Sequence, residues 1–150
     1  MIHTTLDPKD AKNLLDFAIK IHAETRYNKE PLNITSFCSF FDLLIEFPDR
    51  YFMCYSTDES KVTGMFFGQI TIEYFSGKKT ASDLGMFVHP DFRGSSLFIR
   101  MYKLFEEWAK QNNAYKIILY HSTGIEPEKT KRLFTKMNFT EYGSIFDKEL

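Results

Sequence analysis

Residues 80–111 read TASDLGMFVHPDFRGSSLFIRMYKLFEEWAKQ, and this stretch decides the fold. From Leu97 the large apolar residues fall at Leu97, Met101, Leu104, Phe105 and Trp108, the spacing of a helix with one face on a core. Upstream, Leu84, Met86 and Val88 alternate with smaller or more polar neighbours as far as Pro90, which has no amide to donate to a sheet. The pattern predicts a strand that delivers the chain through His89-Pro90-Asp91-Phe92-Arg93-Gly94-Ser95-Ser96 to a helix N-terminus. Free amides at such a terminus, beside an arginine, suit an anion such as a phosphate.

The rest of the chain supplies elements on both sides. Ile2 to Leu6 reads as an edge strand, and Asp7-Pro8 with Asp10 starts a helix whose buried stripe is Ala11, Leu14, Leu15, Ala18 and Ile21. A second helix, capped by Thr35 or Ser36, carries Phe37, Phe40, Phe41, Leu44 and Ile45 and stops before Pro48. Tyr51 to Tyr55 is a strand, Ser56 to Ser60 a turn, and Val62 to Phe75 a longer strand with Gly64 and Gly68 as bulges or points of close approach. After the central helix, Gln111-Asn112-Asn113 supplies an asparagine able to take the left-handed terminating conformation, and Tyr115 to Tyr120 is a compact strand. Pro127 opens a helix that Asn138 ends, and Thr140 to Lys148 reads as a final strand.

Composition narrows the function classes. A chain of 150 residues has the length of one domain, with 43% apolar residues, 16 Phe and 8 Tyr to fill a core. The net charge of −1 argues against a nucleic-acid binder, and no apolar run reaches the ~20 residues of a membrane span. Residues 89–136 hold nine Lys or Arg against five Asp or Glu, a local excess of +4 that suits a polyanionic ligand. Cys38 and Cys54 lie in apolar patterns without metal-like spacing and are expected to be small buried hydrophobes, so no metal site is expected. The start of the chain is unlike a signal peptide, which gives the expectation of a cytoplasmic protein. A phosphate-loop nucleotide hydrolase is disfavoured because Arg93-Gly94-Ser95-Ser96 lacks the closing Gly-Lys-Ser or Gly-Lys-Thr.

Arg93, Gly94 and the Val88-His89-Pro90 lead-in resemble the pyrophosphate-binding motif of the GNAT N-acetyltransferase superfamily. Ser96 and Phe98 stand where that motif has glycine and glycine or alanine. The order of elements resembles this fold along residues 1–150, and Lys136-Met137-Asn138-Phe139 resembles the family's Gly-Phe ending of the last helix. A narrower resemblance, to small phage-encoded acetyltransferase-like proteins, rests on His22-Ala23-Glu24, Phe92-Arg93-Gly94, Phe105-Glu106-Glu107-Trp108-Ala109 and Lys148. It would place the protein in a host cytoplasm.

The resemblance implies a mixed α/β fold, a mostly antiparallel sheet with a parallel pair splayed near Val88 and Tyr120, flanked by about four helices. It implies acetyl-coenzyme A as co-substrate and an amine, small or on a protein, as acceptor, with a homodimer as one arrangement. On it, amides of Met86, Phe87 and Val88 hold the pantetheine arm, and Arg93 with the amides of Gly94, Ser95, Ser96, Leu97 and Phe98 holds the pyrophosphate. The family's tyrosine acid would stand at Phe134, which has no hydroxyl, so Ser122 and Tyr120 become the candidate proton donors. Asp83 and Glu24 are the leading candidates for the base, with Glu73 and His121 behind them. The alternative is a fold of this kind kept as a structural or protein-interaction module, within a phage particle for example.

Overall fold

The computed structural model describes residues 1–148. Strands β1 (Ile2–His3), β2 (Tyr51–Asp58), β3 (Lys61–Ile72), β4 (Lys79–Val88) and β5 (Lys116–Ile118) form one sheet in that spatial order. The first four pair antiparallel, and β4 pairs with β5 in parallel. Helices α1 (Ala11–Glu24) and α2 (Ile34–Glu46) precede β2, α3 (Leu97–Gln111) connects β4 to β5, and α4 (Pro127–Lys136) follows β5. The expected mixed sheet with one parallel pair and four helices is therefore present. No helix among the described residues is long and apolar enough to cross a membrane.

Each face of the sheet is covered by its own layer. On one side Leu14, Phe17 and Ile21 of α1 and Phe41 and Leu44 of α2 pack on Met53, Tyr55, Met65 and Phe67. On the other, Leu97, Met101, Phe105 and Ala109 of α3 pack on Phe52, Cys54, Phe66, Ile70 and Ala81. A single 3-10 turn, Pro8–Asp10, leads into α1, and it is this turn that Asp7 caps, its side chain accepting from the Lys9 amide. Asp10 is buried there, and its Oδ2 accepts from the Tyr55 hydroxyl at 2.9 Å, which ties the start of α1 to β2. Gly68 is a point of close approach: a Cβ there would lie 2.3 Å from Cε2 of Phe105. Asn113 (φ 61°) and Asn138 (φ 66°) both take the left-handed conformation that ends their helices.

Several sequence expectations are corrected. Residues 140–148 form no strand: Gly143 turns the chain at φ +85°, and Glu141 and Asp147 pair with Lys131 and Arg26. β1 stops at His3, and β2 runs on to Asp58, so the turn is a tight one at Glu59 and Ser60, both at positive φ. The cap of α2 is Asn33, whose side chain accepts from the Ser36 amide. Cys38 is exposed, one position off the Phe37–Phe41–Leu44 face, whereas Cys54 is buried and its thiol is pushed up to about 12 by that burial. In α3 the stripe is rotated slightly, so that Leu104 is 37% exposed and Ala109 buried in its place.

Candidate active site

β4 and β5 begin as an ordinary parallel pair, matched at Thr80↔Lys116, Ala81↔Ile117 and Ser82↔Ile118, and then part. Two features of β4 cause the separation. Its register against β3 slips so that Gly68 faces Asp83 and Phe67 faces Gly85, which leaves Leu84 as a bulge. The next carboxylate, on Asp83, then takes the place of a backbone carbonyl and accepts the Tyr120 amide at 2.6 Å. Past that point the outer edge of Met86, Phe87 and Val88 has no strand beside it, and a side chain, Arg93, reaches the Val88 carbonyl instead.

The opening is a cleft of about 790 Å³. Asp83, Met86, Phe87, Val88, Arg93, Gly94, Ser95, Phe98, Tyr120, Ser122 and Phe134 line it, so most of the residues singled out in the sequence converge on one space. Ser96, Leu97 and Glu24 are not in its wall. Leu97 is buried in the α3 core, and Ser96 is the exposed cap of α3. Among the remaining base candidates, His121 lines the cleft, whereas Glu73 is held outside it by Lys116, Ser76 and Tyr115, which pull its carboxyl down to about 2.

The loop before α3 has spare donors. Ser96 makes no side-chain capping bond. Among the described residues, the amides of Gly94, Ser96, Phe98 and Ile99 have no acceptor, while Ser95 N–H donates to the Phe92 carbonyl and Leu97 N–H to Ser95 Oγ. Gly94 sits at φ +83°, where a side chain would be strained, and a Cβ there would meet nothing within 4 Å. The Phe98 ring packs on Tyr102 and Phe134, at centroid distances of 6.4 and 6.2 Å. A phenylalanine is thereby accommodated where a smaller residue is usual.

Two carboxylates stand at the cleft, Asp83 in its wall and Glu24 just outside it. Asp83 is 7% exposed, and burial pushes its carboxyl up to about 6, against the downward pull of the Tyr120 amide and its own backbone. Glu24, at the end of α1, receives the Arg93 guanidinium at 2.6 Å, and Arg93 Nε also donates to the Val88 carbonyl at 3.1 Å. The next residues of that segment reach the opposite arm, because the Arg26 amide donates to the Thr123 carbonyl at 2.9 Å. Residues 24–26 therefore strap the two arms of the cleft together.

The family model of the GNAT acetyltransferases, described as Acetyltransferase (GNAT) family, matches residues 13–139. The chain belongs to the GNAT acetyltransferase family. Solved structures agree. The GNAT chain resembles the Trypanosoma brucei acetyltransferase at TM-score 0.75 and 17% identity, covering 100% of this chain and 99% of that one. It resembles glucosamine-6-phosphate N-acetyltransferase from Arabidopsis thaliana at TM-score 0.76 and 17% identity, with coverage of 99% and 97%. It also resembles AAC(6')-Iy in complex with the bisubstrate analogue CoA-S-monomethyl-acetylneamine, at TM-score 0.77, 13% identity and coverage of 100% and 97%. At such identities the likeness is one of fold. No curated protein sequence matches the chain, and these structures give no support to the narrower phage resemblance.

Gln69, Leu84 and Ile145 are among the wall residues of this GNAT that sequence reasoning missed. Gln69 could have been found, as the one amide in the otherwise apolar run from Met65 to Ile70 of β3. Leu84 enters through the bulge and Ile145 through the corrected course of residues 140–148, and neither has a local signal. Among the described residues no group of His, Cys, Asp or Glu side chains could hold a metal ion.

Proposed function

We propose that the protein transfers an acetyl group from acetyl-coenzyme A to a primary amine. The observation that carries this is the cleft itself: an unpaired β4 edge at Met86 to Val88 leads directly to four acceptor-free amides beside Arg93. An extended amide-bearing arm ending in a pyrophosphate is complementary to that sequence of groups. The free amides of Gly94, Ser96, Phe98 and Ile99 would take the phosphate oxygens, with Ser95 and Leu97 holding the loop in shape. Half-buried Phe87 and Val88, with Phe134 across the cleft, would exclude water from the thioester.

Asp83 fits the role of base. An amine arrives as an ammonium ion, and a carboxylate whose pKa lies near 6 is mostly ionised at neutral pH yet a better proton acceptor than an ordinary one. Glu24 is disfavoured as a base because Arg93 holds its carboxylate, and its role in this account is to fix the arginine. Ser122 and Tyr120 stay near the reacting centre as polar wall residues. Phe134 favours the rival reading, a domain of this family that binds without turnover, because it supplies no proton to a departing thiolate. Turnover of acetyl-coenzyme A against a panel of small amines and amine-bearing peptides separates the two. Thiol release with any acceptor supports transfer, and its absence across the panel, with binding intact, supports the binding module.

A further inference from the structure

Gln69 is the one carboxamide side chain among the described residues of the cleft wall. It lies on β3 between Tyr51 of β2 and Ser82 of β4, so it joins that wall through its side chain rather than its backbone. The side chain is half-buried and has no hydrogen-bond partner among the described residues. Its face of the sheet follows from its neighbours. A Cβ on Gly68 would strike Phe105 of α3 and Ile70 packs with α3, whereas Phe67 packs with α1 and α2. Gln69 therefore stands on the α1 side, where Ile21 of α1 and Tyr27 just past it share the wall. The free amides and Arg93 that suit the coenzyme belong to the loop leading into α3, with Phe98 and Phe134 on that side. The α1 side is left for the amine.

Resting on the transfer reading above, we infer that the amine acetylated carries a single positive charge, an apolar group, and a neutral amide or hydroxyl that hydrogen-bonds the Gln69 carboxamide. The charge count comes from the wall, whose Asp, Glu, Lys and Arg side chains are Asp83, Arg93, Glu126 and Lys129. Lys129 holds Glu126, and Glu24, just outside the wall, holds Arg93. Asp83 is the wall carboxylate that no cation pairs among the described residues, enough for one ammonium. A polyamine would bury its further charges without partners, and a carboxylate on the amine would face Asp83 with no cation to offset it. The neutral group follows from Gln69. A ligand that covers a carboxamide strips its water, so it must return both a donor and an acceptor, which an amide or a hydroxyl does. Tyr27, Leu84 and Ile145, large and exposed in the wall, offer apolar surface to the rest of the molecule. The balance of the transfer is the ordinary one: ammonium and thioester give amide, thiol and one proton, the N–C bond forming as the C–S bond breaks.

The test measures kcat/KM, at saturating acetyl-coenzyme A, for phenylalaninamide, for phenethylamine, which lacks the amide, for phenylalanine, which has a carboxylate in its place, and for spermidine. Wild type should favour phenylalaninamide over each of the others by ~10-fold or more. Gln69→Leu, with Gln69→Met as a second variant of similar size, should lose about tenfold on phenylalaninamide and stay within about threefold on phenethylamine. Acetyl-coenzyme A affinity by calorimetry should be unchanged in both. Each amine is compared with itself across the proteins, so differences in basicity between amines cancel. No loss in either variant, or an equal loss on phenylalaninamide and phenethylamine, overturns the role of Gln69. Any of the other three amines as the best wild-type substrate overturns the class. If none of the four reacts while another amine of the wider panel does, the class falls and the transfer reading stands. A wild type that binds acetyl-coenzyme A and acetylates nothing overturns the transfer reading and the class with it.

Discussion

The amide of Tyr120 donates to Oδ1 of Asp83 at 2.6 Å, one step past the last backbone-paired position of the parallel strands, Ser82↔Ile118. A side chain thus takes over from the backbone at the fork, and the same carboxylate faces the cleft.

Asp83→Asn separates the two roles. Asparagine keeps a carbonyl oxygen for the Tyr120 amide but removes the buried charge. Because the carboxyl rises from 3.8 to about 6 on folding, the native state binds more protons than the unfolded chain between those values. Stability from this group is therefore full below about pH 4 and lost as pH rises through 6. Urea unfolding should find Asp83→Asn equal to wild type near pH 4 and more stable above pH 6.5, by an amount on the order of 3 kcal/mol. Turnover should fall in the same variant, and the wild-type kcat/KM profile should rise with an apparent pKa near 6 that Asp83→Asn lacks.

The pair between Arg93 and Glu24 competes with any anion for the guanidinium. Glu24→Gln should tighten acetyl-coenzyme A binding by about two- to fivefold, the scale of a partly exposed ion pair, and leave kcat nearly unchanged. A drop in kcat with binding intact would instead make Glu24 the base.

Gly68 admits no side chain. Gly68→Ala places a Cβ 2.3 Å from the Phe105 ring, which is itself wedged between Phe66 and Trp108. Denaturant unfolding should show a loss of about 2 kcal/mol or more.

Phe134→Tyr introduces a hydroxyl into the cleft wall. Turnover in otherwise wild-type protein should rise by less than ~10²-fold or stay level, since the hydroxyl lacks tuned surroundings. A large loss would mean that the apolar wall, rather than a proton donor, is what the position supplies.

Much of this was legible along the chain because it is local. The strand, loop and helix around Arg93 follow from alternation up to Val88, the Pro90 stop and the stripe through Leu97, Met101 and Phe105. Where the sequence misled, a non-local fact intervened. Leu84 is 42% exposed because a bulge shifts it out of phase with Met86 and Val88. The alternation in Thr140 to Lys148 looks strand-like, yet β5 is three residues long and Gly143 turns the chain away. The contacts that define the site, Asp83 with Tyr120 and Glu24 with Arg93, join residues 37 and 69 positions apart. Each is a meeting of segments that only the assembled sheet brings together.

Calorimetric titration with acetyl-coenzyme A, in wild type and Arg93→Glu, asks whether the cleft beside Arg93 is a coenzyme site. Binding at one site per chain is expected, with affinity that falls with added salt and weakens clearly in Arg93→Glu. Heat indistinguishable from dilution for wild type at millimolar ligand would contradict it.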